Sequence, residues 1–475
     1  MKKYASILAV FVLLLGLAAL SYAAPAEIPS DTTAVIAKGK TQITLGGELR
    51  FRGLMGKNLK VTNDKDDSFT ASTSAGAAEG TTSYYDYRVR LSLEAKVSPN
   101  TTGFVEIESG TSNTDNITGG SGSDGAKGVY RYGNKKSADN LAVRQAWIQY
   151  QGTGLLGVPA GVKVGHQLIK LGNGLFFDHT YYGDDAILVF VQPLKELTLA
   201  AHTIKFDENN VNQNDDVTAY GILAAYAGKG FGLSADITYI DHQQYSTNVP
   251  LHLWNIGLRG NVDDIAGTGL GFRADVEFQT GKVDYTTQDD LKLKGWAALA
   301  GLDYKFKSIP LTLTAEYAIG SGDKDSNDNK DQSFITSLGN EQHYTFVYEY
   351  LTPSACNFLG STSHSNNRTG LCNTQYVKIG GSYDITKDLN VKLYGYWLRA
   401  HKAVAINSDI GTGTAPSTDK DLGYEVDAYI TYQIDKNLTY FVESGYFWPG
   451  DAWKLKGGKD ADDAWAVRHG ITLKF

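Results

Sequence analysis

The chain has 475 residues, among them 52 Gly, 29 Tyr, 10 Pro and 2 Cys, and carries a net charge of −8 at pH 7. That acidic balance excludes wholesale nucleic-acid binding, and beyond residue 24 no apolar run approaches the roughly 20 residues that a membrane-spanning helix needs. Abundant Gly, Tyr, Thr and Asn suit many short strands joined by turns, with aromatic rings to spare for membrane interfaces.

Lys2 and Lys3 precede an apolar run from Ile7 to Leu20, followed by Ser21-Tyr22-Ala23 and Ala24-Pro25. This pattern predicts a cleavable secretory signal peptide over residues 1–23; a retained anchor is the alternative, for which the run is short. No Cys follows the cleavage site, which argues against a lipid anchor. Residues 24–40 form a periplasmic N-terminal segment too short for a plug domain.

Strands follow in order, each recognised by period-two alternation. Over residues 41–53, Ile43, Leu45, Leu49 and Phe51 share one face, while Glu48, Arg50 and Arg52 share the other. Over 84–97, Tyr87, Val89, Leu91, Leu93, Ala95 and Val97 alternate with Arg88, Arg90, Ser92, Glu94 and Lys96. The tight turn Ser98-Pro99-Asn100 leads to 101–109, where Val105 and Ile107 oppose Glu106 and Glu108. The rhythm continues through 140–151, 158–167, 186–193, 197–206, 217–227, 230–241, 251–261, 269–280, 291–307 and 311–320. It resumes at 374–383, 390–399, 422–434, 438–448 and 464–475. The phase of 291–307 is unclear between Gly295 and Ala300, as a bulge would make it. In the last strand Trp465, Val467, Ile471, Leu473 and Phe475 fall on one face. An apolar edge of this kind needs a partner, and the first strand is the simplest one.

Short turns alternate with long polar stretches at 54–83, 110–139, 168–185, 321–373 and 400–421. Short turns face the periplasm and long loops the exterior in transmembrane barrels. With both ends on the periplasmic side the strand number is even. The segments number eighteen if His343 to Tyr350, strand-like in composition, is left inside the 321–373 excursion. The expectation is an all-β fold, a single antiparallel transmembrane β-barrel of about eighteen strands over 41–475, with 16 or 20 as alternatives.

The C-terminal strand resembles that of bacterial outer-membrane β-barrels, in which a terminal Phe, here Phe475, signals to the assembly machinery. A narrower likeness lies in Val143-Arg-Gln-Ala-Trp-Ile-Gln149, Val164-Gly-His-Gln-Leu-Ile-Lys-Leu-Gly-Asn-Gly-Leu-Phe-Phe-Asp178, Ala315-Glu-Tyr-Ala-Ile-Gly-Ser-Gly-Asp323 and Val442-Glu-Ser-Gly-Tyr-Phe-Trp-Pro-Gly-Asp451. These segments resemble the alginate-export family of outer-membrane channels. The resemblance implies eighteen strands and, as in that family's alginate exporter, a polyuronate path of Arg and Lys flanked by Asp and Glu.

Charges facing hydrocarbon cost roughly 2–4 kcal/mol at the midplane for Arg or Lys, so central ones belong in the lumen. The expected pore-lining set includes Arg50, Arg52, Arg88, Arg90, Glu94, Glu106, Glu108, Arg273, Asp275, Glu277, Lys378, Lys392, Glu425, Asp427, Glu443 and Arg468, together with Glu48, Arg259 and Glu316. Arg144 has an ambiguous phase. Paired Arg on adjacent strands either passes an anionic solute, since guanidinium binds carboxylates bidentately, or forms cross-lumen salt bridges that stiffen a wet barrel.

Cys356 and Cys372 bracket a polar loop; in an exported protein a disulfide is favoured over two free thiols. Asp323, Asp325, Asn327, Asn329 and Asp331 offer oxygens at every second residue. Such a run suits a calcium loop, yet Asp328 and Phe334 stand where Gly and an acid are needed; a solvated acidic loop is the simpler reading. The nine His residues show no ligand spacing; His179, beside Phe177-Asp178, and His469, near Arg468, are the ones to examine for catalysis, and no nucleophile-base pair is visible. No cofactor or catalytic residue is expected. The functional expectation is passive diffusion of small hydrophilic solutes across the outer membrane, with a preference for anionic saccharides or carboxylates. A surface adhesion barrel and an outer-membrane hydrolase are the alternatives.

Overall fold

Alternating sequences of this kind can satisfy every main-chain group inside a membrane only by closing on themselves. The computed structural model describes residues 41–58, 81–110, 130–131, 140–153, 157–180, 183–207, 215–246, 249–286, 288–325, 328–336, 344–348, 370–406 and 413–475. The expected leader and N-terminal segment lie outside these residues, as do Cys356 and Asn327.

Eighteen antiparallel strands form one closed barrel. They are β1 (Gln42–Lys57), β2 (Thr81–Ser98), β3 (Thr101–Gly110), β4 (Asn140–Gly152), β5 (Ala160–Gln167), β6 (Asp184–Leu194), β7 (Leu197–Asp207), β8 (Val217–Gly228) and β9 (Phe231–Ser246). The second half comprises β10 (Val249–Val262), β11 (Leu270–Val283), β12 (Trp296–Lys305), β13 (Leu311–Gly320), β14 (Thr374–Asp384), β15 (Leu389–Val404), β16 (Asp419–Asp435), β17 (Leu438–Pro449) and β18 (Ala464–Lys474). Each pairs with the next, and β18 closes on β1 in a register from Glu48↔Lys474 to Lys57↔Trp465. Gly47 and Phe475 exchange two main-chain hydrogen bonds, 2.7 and 3.0 Å, at the foot of this seam. The outer wall is apolar: Leu45, Phe51, Leu91, Ile148, Ile256, Phe278 and Ile379 all stand exposed, as a lipid-facing surface requires.

Several boundaries differ from expectation. β1 runs on to Lys57, and β15 and β16 extend to Val404 and from Asp419, so the loops beginning at 54 and 400 are shorter than alternation alone indicated. The span 291–307 is two pieces. Leu291–Leu293 pairs with β11 and, in parallel, with Lys330–Asp331. β12 then restarts at Trp296. The break falls at Gly295, where a Cβ would stand 2.4 Å from the Ser333 carbonyl oxygen, so the returning loop passes too close for any side chain. Residues 344–348 form no strand. The uncertain phase near Arg144 is a bulge: Gln145 faces Glu106 and Val143 faces Ile107, which leaves Arg144 unopposed and turned inward beside Gln145.

The lumen is not polar throughout. Its outer half is lined by Ile204, Val217, Ala219, Leu253, Leu293, Leu398 and Leu422, and these pack against residues carried in by two loops. Residues 168–183 bring Leu171, Leu175, Phe176 and Phe177; the excursion after β13 brings Phe334, Phe346, Val347, Tyr348 and Leu371. Full burial of each such side chain contributes about 1.5–3 kcal/mol. The inward loops are therefore held as a protein core is held.

Candidate functional site: the charged lumen

Inward positions of β1 to β4 carry a run of arginines, four of which sit beside a carboxylate on a neighbouring strand. Arg52 grips Asp86 with two parallel bonds of 2.8 Å. Arg88 donates to Glu48 at 2.9 Å, and Arg90 pairs with Glu108. Arg144, turned in by its bulge, reaches Glu106 at 2.8 Å and the Thr180 carbonyl at 2.6 Å. That last bond ties the base of the 168–183 loop to the wall.

Across the lumen a second network lies under that loop. Arg259 on β10 meets Asp236, Glu277 and Asp275, the last two at 2.5 and 3.3 Å. The loop tip rests on it: the Asn173 main-chain N–H and side-chain amide donate to Asp275 Oδ2 at 3.1 and 3.2 Å. Gly172 has φ +55°, and a Cβ there would fall 1.8 Å from Arg259 Cδ, so only glycine lets the chain approach this guanidinium. Further round, Arg273 joins Glu316 and Asp303, with Tyr376 donating to Glu316 at 2.8 Å. The Gln279 side chain holds Ile335 by donating to its carbonyl at 2.6 Å and accepting its N–H at 2.9 Å.

Among the described residues no cation pairs with Glu425 or Asp427 on β16. Glu425 instead accepts main-chain N–H groups from Phe346, Val347 and Tyr348 at 3.0, 2.6 and 2.7 Å, and Asp427 shares the Phe346 N–H at 3.0 Å. Beside them Arg468 pairs with Glu443 at 2.5 Å and lies 5.0 Å over the Phe346 ring.

All the expected lumen residues sit on inward faces, but they divide into two groups. Asp275, Glu277, Glu425 and Asp427 are 0% exposed, sealed beneath the loops, and Arg273 is buried with Glu316. Glu48, Arg50, Arg52, Arg90, Glu94, Lys378, Lys392, Glu443 and Arg468 stay partly exposed along an arc running from β14 through β18 to β2. On that arc Arg50 faces Arg88 across the β1–β2 ladder and makes no ion pair with a described residue; its Nε has no hydrogen-bond partner. Lys392 likewise makes no ion pair with a described residue, and off the arc, on β5, Lys163 lies over the face of Trp147, 4.1 Å from its centroid. Lys378 is 4.0 Å from Glu316 and 4.3 Å over the Tyr394 ring. Lys163 was absent from the expected set, although its alternation with Val162 and Val164 marks it as inward. Asp86, Asp236 and Asn173 were also absent, because only the register shows which groups meet.

His179 is buried against Asp184 at 2.8 Å and stacks on Phe177, a structural role at the loop base. His469 faces lipid between Tyr85 and Tyr440. In the acidic loop, Asp323 accepts N–H bonds from Asp325 and Gln332, and Asp331 accepts one from Ser333. Among the described residues no three such ligands converge. Cys372 is buried at the inner edge of the excursion.

A closed barrel with an apolar belt, a charged inner wall and loops folded into its mouth defines a bacterial outer-membrane channel of the porin class. The chain belongs to the alginate export family, whose model matches residues 42–467. The fold is also similar to solved porins of Pseudomonas aeruginosa at low identity. OccK11 (OpdR) is 10% identical at a TM-score of 0.51, with 91% of this chain and 96% of that chain covered. OccK8 (OprE) is 12% identical at 0.50, with 91% and 98% covered. OpdQ is 12% identical at 0.50, with 91% and 97% covered. No curated protein matches the chain. Family and structural neighbours are channels rather than enzymes.

Proposed function

We propose that this channel favours small anionic solutes, carboxylates and acidic saccharides among them, over cations and neutral solutes of equal size. The observation that carries the reading is an imbalance among the charges of the lumen wall. Its carboxylates Glu48 and Asp86 are engaged by arginines, Glu443 by Arg468 and Glu94 by Lys96, whereas Arg50, Lys163 and Lys392 have no carboxylate within ion-pair distance among the described residues. Unneutralised fixed cations raise the local anion concentration and set selectivity in a narrow pore. The paired arginines then act chiefly as stiffening, which joins the two roles that the sequence left open. Phe475, seated on β1, is the proposed handle for the assembly machinery.

Reversal potential and conductance of the refolded chain in a planar bilayer under a salt gradient, with and without an oligouronate, test this. Anion selectivity with concentration-dependent block is expected. Large, weakly selective, unblocked conductance would reduce the protein to a general porin. Absence of conductance would return the adhesion barrel to consideration.

A further inference from the structure

Residues 344–348 enter the barrel as an aromatic segment of bends, outside any strand, and are seated in an unusual way. Three successive main-chain N–H groups converge on one wall carboxylate, Glu425, and the first is shared with Asp427. Both carboxylates are fully buried, and neither has a cation among the described residues, so the segment's amides are their principal compensation. Remove the segment, and Glu425 loses three main-chain donors while Asp427 keeps the Tyr429 hydroxyl; remove the carboxylates, and three amides lose their acceptors. Each half of this contact requires the other. Above it, Tyr348 packs against Phe447 and Trp453, and Tyr344 stacks on Tyr376 at 4.8 Å.

A segment needed only as filler would be held by side-chain packing alone. This one is held in addition by its backbone on a dedicated acid pair, next to the exposed arc where Arg468 lies over Phe346. We propose that residues 344–348 are a displaceable latch, and that the channel widens when the segment leaves Glu425 and Asp427. The proposal rests on the channel reading above and assigns the opening step to a single contact.

The test uses the full chain with Cys356→Ser, Cys372→Ser and Val347→Cys. Val347 is fully buried in the seated state, so its thiol reports unseating through its reaction with a membrane-impermeant maleimide added from outside. Glu425→Gln with Asp427→Asn weakens the seat; if that pair does not refold, Tyr348→Ala unseats the same segment without altering a strand. The expected result is labelling faster by an order of magnitude or more, together with larger unitary conductance. Unchanged labelling and conductance would overturn the proposal, as would faster labelling with unchanged conductance, since the segment would then move without gating. Loss of all conductance in both the parent and the variant would instead remove the channel reading.

Discussion

Asn173 places both its main-chain and its side-chain N–H on a single oxygen of Asp275, at 3.1 and 3.2 Å, joining the tip of the 168–183 loop to the wall strand β11. This contact holds a loop that starts between β5 and β6 against strands well round the barrel. Asp275→Ala removes the acceptor and leaves Arg259 with Asp236 and Glu277. Unit conductance should rise by about twofold, since the loop narrows the lumen that carries current. Single-channel recording checks this, and conductance equal to the parent's would mean that packing of Phe176 and Phe177 holds the loop unaided. Gly172→Ala should have a similar effect by steric means, because its Cβ collides with Arg259.

The unpaired and paired cations should respond differently to neutralisation. Arg50→Gln, Lys163→Gln and Lys392→Gln should each shift the reversal potential toward cations with little loss of stability, within about 0.5 kcal/mol. Arg259→Gln strands three buried carboxylates and should cost about 3–5 kcal/mol, read as a lower temperature for loss of the folded band on unheated gels. If Arg50→Gln left selectivity untouched while destabilising the barrel, Arg50 would be scaffold rather than selector.

Oxidation state should matter at the excursion after β13. A bond between Cys356 and Cys372 closes a loop for which chain-entropy arguments give about 3 kcal/mol. Cys372→Ser should therefore lower unfolding resistance under non-reducing conditions and abolish the difference that a reductant makes to the parent. Equal stability of parent and variant, with and without reductant, would argue for two thiols.

Asp331 makes the loop grip depend on pH. Burial holds its carboxyl above the usual range, with the Ser333 hydrogen bonds opposing and Asp323 adding to the rise. A raised value in the folded state means stabilisation that is complete below the unfolded pKa, near 3.9, and is lost as pH rises through the folded value. The ladder between Lys330–Asp331 and Leu291–Leu293 should thus be firmest in acid and weaken as pH rises through the folded value. Hydrogen exchange at Lys292 and Lys294, whose N–H groups donate to Asn329 and Asp331, should show this slope in the parent and a flatter one in Asp331→Asn.

Much of the barrel was legible from alternation because a lipid-facing wall imposes period two on every strand. The eighteen strands, their order and the inward faces of Arg88, Arg90, Glu106 and Glu108 all follow from that rule. Three things did not follow from it. Leu253, Leu293 and Leu398 are apolar yet point inward, and hydropathy cannot separate lipid from a packed loop as the neighbour. The phase at Arg144 depended on a bulge, which shows itself only when the register with β3 is known. The division of lumen charges into sealed and exposed sets depended on where residues 168–183 and 344–348 come to rest, and nothing in a polar loop's composition says whether it folds inward.

The pairing of β1 with β18 has a consequence for the order of folding. Every other neighbouring pair joins segments consecutive along the chain and can zip as a hairpin once its turn exists. The Glu48↔Lys474 ladder instead joins opposite ends of the described chain, so its closure entropy is the largest of all and falls due last. Until then the sheet carries two open, apolar edges, each able to pair with the wrong chain. The vulnerable interval in this protein's life is therefore the time before the ring closes, and how quickly that final zipper forms decides whether the molecule becomes a channel or an aggregate.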